Sequence, residues 1–360
     1  MTRSTRWWLA ALAVAVVTGA PLVARALPVR APDPSSAALV SRMRAAAHHP
    51  YSGQVELNGN LDLPVTSRFT DVGALLGERT RLRVWWRRPD AWRVDKLLVT
   101  GETDLVHDGG LTTEWSYEAN RAVRSVDPEV RLPRTADLLP PSLAARVLDG
   151  ADDRTATRIG ARRVAGISAP GVRIRPADPR SSVDHVDLWS DPASGVVLRV
   201  DAYAAGDTAP SFSTAFTTFS ASTPGEARTR FVLPAGAKDS FDEVLDIADA
   251  ANQYAPFVPP HTVAGLVRAA TPRGAVGVYG SGLTRLLVIP LRHRDALTLE
   301  DQLRRTGGVV ESAVGLQLQS GPLGVLVSDR GESSWLVAGP VTPQTLVDAT
   351  RDLLAGATLR

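Results

Sequence analysis

The chain of 360 residues is long enough for two domains whose cores need no stabilising cross-links. Its 40 basic and 38 acidic residues give a formal net charge of +2, which argues against nucleic-acid binding as a property of the whole surface. Cysteine is absent, and this excludes disulfides, thiolate metal sites and cysteine nucleophiles. The composition is therefore that of a globular protein, and by itself it points to no partner.

The first 26 residues have the pattern of a secretory signal peptide. Arg3 and Arg6 precede an apolar run over residues 7–24, and residues 24–26 read Ala-Arg-Ala, the small-x-small pattern that signal peptidase cuts. The apolar run is close to the shortest length that spans a bilayer, so an uncleaved N-terminal membrane anchor is the alternative. Both interpretations predict an exported chain that lies outside the cytoplasmic membrane, in the cell envelope.

The segment after the signal combines one helix with a long series of short strands. Ser35 or Ser36 can cap a helix that reaches about residue 48 and carries Leu39 and Met43 at helical spacing. Between residues 51 and 231, apolar and polar residues alternate in short runs broken by turn residues. This alternation is typical of an antiparallel sheet with one buried face.

A short helix and a turn interrupt this strand region. Prolines break the pattern at residues 131–149, where Ser142 can cap a short helix over residues 142–148. Residues 183–203 predict two strands, and residues 190–195 supply the turn between them.

The C-terminal part of the chain predicts a second, smaller unit. Ser240 and Glu243 have capping-box spacing, which predicts a short connecting helix, and prolines at 256, 259 and 260 stiffen a linker. The alternating runs beyond the linker predict strands over residues 276–279, 283–291, 309–319, 324–328 and 334–337. The helical patterns lie at residues 297–304 and 342–354.

The residue patterns of common catalytic and cofactor sites do not occur in the sequence. Its six histidines lack the spacing of metal ligands. Residues 280–282 read Gly-Ser-Gly, which lacks the glycine spacing of a serine-hydrolase elbow and fits a hairpin turn instead. Neither a Walker loop nor a dinucleotide-binding glycine pattern is present. We therefore expect no catalytic residue, no metal and no cofactor.

Bulky apolar side chains are concentrated in the predicted sheet, and they have two interpretations. Where helices cover the sheet, these side chains are ordinary core. Because the two helices predicted here are short, part of a curved sheet would stay uncovered and form an apolar groove for acyl chains. The groove candidates are Leu82, Val84, Trp86, Trp92, Val94, Leu98, Trp115, Tyr117, Leu198, Val200, Phe212 and Phe216.

Arginines are clustered near the same strands. Their ordinary interpretation is a solvated outer face. The functional alternative is contact with an acidic peptide or a lipid head group, because the planar guanidinium group matches carboxylates and phosphates. The candidates for this contact are Arg81, Arg83, Arg87, Arg88 and Arg93.

Several motifs resemble the MucB/RseB family of periplasmic sigma-factor regulators, whose large domain shares the lipoprotein-carrier fold of LolA and LolB. Residues 51–53 read Tyr-Ser-Gly at the start of the first strand, and residues 107–109 form a His-Asp-Gly turn before two aromatic residues. The most specific motif covers residues 188–199, in which a strand ending in tryptophan meets an Asp-Pro-x-x-Gly turn and returns as an apolar strand carrying Leu-Arg. Residues 278–283 are similar to a turn in the family's second domain, although its aspartate is missing.

The resemblance covers about residues 50–355 and implies an α+β fold. This fold is a curved antiparallel half-barrel sheet with helices on its concave side, followed by a small C-terminal α+β domain. The expected boundaries are a signal peptide or anchor over 1–26, the half-barrel domain over 27–235, a connecting helix and proline-rich linker over 236–260, and the small domain over 261–360.

The resemblance also implies a function without catalysis. Members of the family bind the extracytoplasmic part of a membrane-anchored anti-sigma factor and are thought to release it when a lipid or lipoprotein occupies the binding surface. A carrier of LolA type, in which ligand transfer is the whole function, is the alternative, although a bare carrier needs only the first domain. A cell-envelope hydrolase is a third hypothesis, and no motif supports it.

Overall fold

The computed structural model describes residues 31–63, 70–128, 131–149, 151, 155–241, 247–269, 274–330 and 333–359. The predicted signal peptide, residues 1–26, lies outside these described residues. Within the described part of the chain, no helix has both the length and the apolar character needed to cross a bilayer. The chain has the α+β fold expected from the resemblance, with a large curved sheet of twelve strands and a separate sheet of six.

The larger sheet is almost entirely antiparallel. Its strands are β1 (Tyr51–Gly59), β2 (Arg79–Arg88), β3 (Ala91–Leu97), β4 (Glu102–Asp108), β5 (Leu111–Ser116), β6 (Arg121–Val126), β7 (Ala156–Val164), β8 (Ile167–Ile174), β9 (Val183–Ser190), β10 (Val197–Ala204), β11 (Phe212–Ser220) and β12 (Lys238–Phe241). Their order is β12-β6-β5-β4-β3-β2-β1-β11-β10-β9-β8-β7, and the edge pair of β12 with β6 is parallel. β1 pairs with both β2 and β11, so the first strand joins the two halves of the sheet.

One face of this sheet, called the inner face below, carries the apolar half of the alternating pattern. Val55 pairs with Leu82, and Val84 pairs with Val94, and all four side chains are at most 1% exposed. Paired residues of an antiparallel ladder point to the same side, so these strands contribute to one continuous apolar layer. Three helices pack against this layer, namely α1 (Ser36–Ala45), α2 (Thr70–Gly77) and α3 (Pro140–Leu148).

Helix α1 begins where the sequence predicts. The side chain of Ser35 accepts a hydrogen bond from the backbone N–H of Ala38 at 3.2 Å, which satisfies one of the free donors of the first turn. The helix buries Leu39, Val40 and Met43 against the inner face. Each such side chain contributes about 1.5–3 kcal/mol through its removal from water. The helix is therefore held mainly by packing.

Helix α3 starts two residues earlier than the expected cap at Ser142. Pro140 and Pro141 form its first turn, where a missing backbone N–H has no cost because no helical partner exists for it. The buried face of the helix carries Ala144, Val147 and Leu148. Both prolines therefore belong to the helix and do not precede it.

The smaller unit is a six-stranded sheet with helices on both faces. Its elements are α4 (Ile247–Tyr254), β13 (Phe257–Val258), β14 (Thr262–Val263), β15 (Leu266–Val267), β16 (Gly277–Ser281), β17 (Thr284–Leu291), α5 (His293–Arg305), β18 (Val310–Ser312), β19 (Gly315–Ser320), β20 (Leu323–Arg330), β21 (Ser333–Gly339), α6 (Pro343–Gly356) and β22 (Thr358–Leu359). The sheet order is β16-β17-β21-β20-β19-β18. On β21, Trp335 and Val337 pack with α6, whereas Leu336 packs with α4 and α5. This alternation shows that both faces of the sheet are covered.

The predicted connecting helix is present as α4, which carries Ile247 and Ala248, but Ser240 does not start it. Lys238–Phe241 forms strand β12, which pairs with β6 from Lys238 opposite Arg121 to Phe241 opposite Arg124. Pairing with an open sheet edge satisfies the backbone groups that the capping box would otherwise serve. The larger sheet thus extends past the expected boundary at residue 235. Residues 242–246, which include the other half of the box, lie outside the described part.

Two smaller differences concern turns and helices. The single strand expected over residues 309–319 is a hairpin of β18 and β19, with Gly315 at φ +148° after the turn. A Cβ at Gly315 would lie 2.1 Å from the carbonyl oxygen of Val327, so the close approach of the next strand requires glycine. Helix α2, at residues 70–77, was not expected at all.

Candidate functional site

A row of stacked rings crosses the inner face of the larger sheet. Tyr51 stacks on Trp86 with ring centroids 5.9 Å apart, and Trp86 stacks on Trp92 at 5.6 Å. Trp92 stacks on His107 at 5.3 Å, and Phe216 meets Tyr51 edge-on at 5.6 Å. The stack follows from the register, because Tyr51, Trp86, Trp92 and His107 are successive cross-strand partners. We call these five residues the aromatic row.

Most groove candidates lie on the inner face, but they are covered. Trp86 is half-buried. Eight others are at most 6% exposed, namely Leu82, Val84, Trp92, Val94, Leu198, Val200, Phe212 and Phe216. Within the described residues, these side chains therefore form a covered core and no open trough. The added cover comes from α2 and from the 3-10 turn Thr135–Leu138, whose Ala136 and Leu138 join the core.

The three remaining groove candidates lie away from the inner face. Leu98 and Tyr117 follow the ends of their strands and are 46% and 71% exposed. Trp115 pairs with Asp104, three residues before His107 on β4, so it points to the opposite, outer face. There its ring lies 5.8 Å from that of Phe231. The aromatic residues that looked like one surface in the sequence are thus divided between two faces.

Two polar atoms of the aromatic row are buried without a hydrogen bond within the described structure. They are the hydroxyl oxygen of Tyr51 and the indole nitrogen Nε1 of Trp86. Burial raises the pKa of the Tyr51 phenol, and Ser142 lies nearby without forming a bond of normal geometry. Since an unpaired buried donor is costly, a ligand oxygen that reached these two groups would be bound favourably.

The arginine candidates Arg83 and Arg93 belong to an ion-pair network on the outer face. Arg93 contacts Asp95 at 2.6 Å and Asp104 at 2.7 Å, while Arg83 contacts Asp95 at 3.2 Å and also Glu102. Asp95 is fully buried and Asp104 is 6% exposed. Both guanidinium groups therefore already bind carboxylates of the same chain.

This network holds three carboxylates against two guanidinium groups. Burial and the charge of Asp95 raise the pKa of Asp104 to about 8, and burial also raises the pKa of Asp95. Oxygens of Asp95, Glu102 and Asp104 lie within 4.8 Å of one another, a spacing that suits a cation. Because Arg83 and Arg93 already supply the positive charge there, a metal ion would have to displace them. The chemistry of the cluster favours a shared proton over a metal.

The other three arginine candidates differ in how strongly their side chains are bound within the chain. Arg87 donates a hydrogen bond to the backbone carbonyl of Pro224 at 2.8 Å. Arg88 forms an exposed ion pair inside its own turn. Arg81 has a side chain that is 67% exposed and lies 3.9 Å from Glu56, a weak pairing. Among the five candidates, Arg81 is therefore the one best placed to meet a partner from solution.

The two units are joined at a junction that sequence reasoning missed. Arg180 donates to the carbonyl of Ala264 at 2.8 Å, and Ser181 donates to the carbonyl of Leu283 at 2.7 Å. Ser182 bonds to Pro322, and the backbone N–H of Thr342 donates to the carbonyl of Arg180. The only signal in the sequence is a short polar stretch before β9, which is too common to identify an interface.

A cleft of about 330 Å³ lies beside this junction. One wall comes from α3 and residues 176–180 of the larger unit. The other wall comes from the β14–β15 hairpin and residues 280–284. The hairpin turn that the sequence predicts here consists of Gly282 and Leu283, and it follows the paired strand residues Gly280 and Ser281; Gly280 and Gly282 have φ +70° and +55°. This cleft therefore lies between the two units.

No protein-family model and no curated protein matches the sequence. Among solved structures, the chain is similar to MucB of Pseudomonas aeruginosa in its complex with MucA, with 17% identity, a TM-score of 0.49, and coverage of 88% of this chain and 96% of that chain. A structure of MucB alone gives 15% identity, a TM-score of 0.46, and coverage of 90% and 98%. A LolA-superfamily protein from Nitrosomonas europaea gives 7% identity, a TM-score of 0.27, and coverage of 55% and 99%. These are the groups that the sequence motifs resemble.

Proposed function

We propose that this chain is an exported, non-enzymatic regulator that binds the extracytoplasmic segment of a membrane-anchored anti-sigma factor and senses a lipid or lipoprotein ligand. The observation that carries the proposal is the bonded junction between the two units. Arg180, Ser181 and Ser182 of the larger unit bond to backbone groups of the smaller one. A protein that only carried lipid would need no second unit held in this way, whereas a regulator needs surfaces for both a ligand and a protein.

The closed inner face also bears on the choice between regulator and carrier. A carrier of LolA type, the alternative, must present its apolar surface to each cargo molecule. Here Val94 and Leu198, in the middle of that surface, are fully buried under the helices. Opening the face would expose this core to water, which costs about 25 cal/mol per Å² of apolar area. Such a cost suits a sensor that changes state when a signal arrives better than a carrier that exchanges cargo continually.

The polar atoms of the aromatic row support the lipid part of the proposal. Within the described structure, the Tyr51 hydroxyl and the Trp86 indole N–H lack acceptors and lie among mostly apolar side chains. An acyl ester or amide offers carbonyl oxygens next to an apolar chain, which is the chemistry that would satisfy both groups. Arg81, exposed on the outer face, is the candidate for a contact with an acidic partner segment.

The test is a pull-down with the mature protein as bait. The prey is the extracytoplasmic segment of a single-span anti-sigma candidate encoded beside this chain, offered with and without an acylated lipopeptide. We expect saturable binding that the lipopeptide weakens. Arg81→Ala should weaken this binding, and Arg230→Ala, which removes an exposed pair in another segment, is the matched control. An absence of binding under both conditions removes the regulator proposal, and stoichiometric co-purification of lipid with no partner binding would favour the carrier.

A further inference from the structure

The cleft beside the junction has the composition of a small-molecule site. Its apolar part includes Val147, Leu266 and Leu283, of which Val147 and Leu266 are at most 5% exposed. Asp178 and Arg180 form its charged side. The volume of about 330 Å³ lies at the lower end of the range of ligand pockets in proteins, and it fits a single narrow chain better than a bulky or branched ligand.

The guanidinium group of Arg180 retains donors that the protein does not use. Its Nε and Nη2 atoms donate to the two carboxylate oxygens of Asp178 at 2.8 and 2.7 Å, and Nη1 donates to the carbonyl of Ala264 at 2.8 Å. Arginine has five N–H groups, so two of them are free of partners in the described structure. Hydrogen bonding to Arg180 lowers the pKa of Asp178, which keeps this pair charged and fixed in place.

From this arrangement we infer that the cleft binds a single-chain amphiphile with a carboxylate head, of the class of medium-chain fatty acids. The chain would lie against Val147, Leu266 and Leu283, and the carboxylate would accept the two remaining N–H groups of Arg180. Charge-assisted bonds of this kind are favourable at a planar guanidinium. The inference deepens the proposed function and rests on it, because it gives the lipid signal a binding site at the junction in addition to the polar atoms of the aromatic row.

A ligand at this position would touch both units at once. The walls come from different units, and Arg180 already links them through Ala264. A ligand shifts a conformational equilibrium only when it contacts the two states differently, and a junction is where rearrangement of the units changes such contacts. Occupancy of the cleft would therefore bias the relative placement of the two sheets and, through it, the surface offered to a protein partner.

The experiment measures binding of dansyl-undecanoic acid to the mature full-length protein and its displacement by decanoate. Ala177, exposed at the cleft, is replaced by Trp to fill it, and Val267, which is 57% exposed, is replaced by Asp to repel a carboxylate. We expect each change to weaken probe binding at least tenfold without altering the melting temperature. Val126→Asp changes an equally exposed apolar residue outside the cleft and should leave binding unchanged.

A second arm tests the head group with methyl decanoate, which keeps the chain but loses the negative charge. We expect it to displace the probe at least tenfold less well than decanoate. Equal displacement would overturn the role of Arg180. A lack of saturable probe binding, or binding that both cleft variants leave intact, would overturn the site itself.

Two readouts, partner capture and probe binding, distinguish failure of the proposed function from failure of the cleft site. Partner capture without any binding of the dansyl probe overturns the cleft site and leaves the regulator proposal standing. Probe binding that is sensitive to the cleft variants, without partner capture, supports the site and removes the regulator. Trp86→Asp serves as the inner-face comparison, and loss of probe binding in this variant alone, at an unchanged melting temperature, would place the probe site at the aromatic row instead.

Discussion

The carboxyl group of Asp104 lies on the outer face in an environment that favours its neutral form. Burial and the neighbouring charge of Asp95 raise its pKa to about 8. Because the pKa is higher in the folded chain than in the unfolded one, the bound proton stabilises the fold. This contribution is fully present below the ordinary carboxyl pKa and is lost as the pH rises through about 8. We expect the free energy of unfolding in urea to fall between about pH 5 and 8, by up to about 1.4 kcal/mol per pH unit, and to level off above pH 8.

The variant Asp104→Asn removes the titrating proton while keeping the shape of the side chain. Urea unfolding of this variant should show a flatter dependence on pH between about 5 and 8 than that of the original protein. Asp90→Asn is the matched control, since Asp90 pairs with Arg88 at the surface and its pKa is lowered, away from this pH window. Identical pH slopes for the original protein and Asp104→Asn would contradict the assignment.

Sequence reasoning was informative about single residues only where a local pattern decides their environment. Alternation on β2 correctly assigned Leu82 and Val84 to one face, because the side-chain period of a strand is two. The pairing of Arg83 with Asp95 could not be predicted, since it depends on the register between two strands. The same dependence placed Trp115 on the outer face, which no local pattern reveals.

At the scale of elements, the turn before β10 packs closely against helix α1. Gly195 has φ +80°, and a Cβ at this position would lie 2.8 Å from the carbonyl oxygen of Arg42. Arg42 also donates to the carbonyl of Pro192 in the same turn. We expect Gly195→Ala to destabilise the protein by about 1–2 kcal/mol from the backbone conformation, and further from the contact with α1. Chemical denaturation measures the loss.

Gly206→Ala separates these two effects. Gly206 has φ +87° and open space around its Cα, so alanine there carries the conformational cost alone. The difference between the two variants reports the docking of α1 on the turn. Equal losses of stability would show that α1 does not constrain Gly195. The Asp-Pro-x-x-Gly motif predicted this turn, but Arg42 and Pro192 are 150 residues apart, and no local signal connects them.

The inner face offers a second test at this scale. Val94 is fully buried in the middle of the apolar layer, so Val94→Asp would place an unpaired carboxylate in the core. We expect a loss of about 3–5 kcal/mol and a large decrease in the melting temperature. Leu111→Asp, at an outer position that is 41% exposed, should change the melting temperature little. Normal thermal stability of Val94→Asp would mean that the inner face is open in solution.

At the scale of the whole molecule, the two-unit organisation could be expected from the change of pattern near residue 235, but the junction could not. Its bonds run from Ser181 and Ser182 to backbone carbonyls, and such carbonyls carry no signature in the sequence. The sheet itself also crosses the expected boundary through β12. Contacts between distant segments therefore decide both where the units meet and where each one ends.

The junction predicts that the two units unfold together. Arg180 links Asp178 to Ala264 of the smaller unit, and Leu283 of that unit packs against the core of the larger one. We expect the original protein to give one calorimetric transition and Arg180→Ala to give two, because the coupling between the units is weakened while each core stays intact. Arg175→Ala, which removes an exposed pair with Asp184 inside the larger unit, should keep a single transition. One undivided transition in Arg180→Ala would show that its bond to Ala264 does not couple the units, and the cleft beside it could then not transmit a ligand signal by this route.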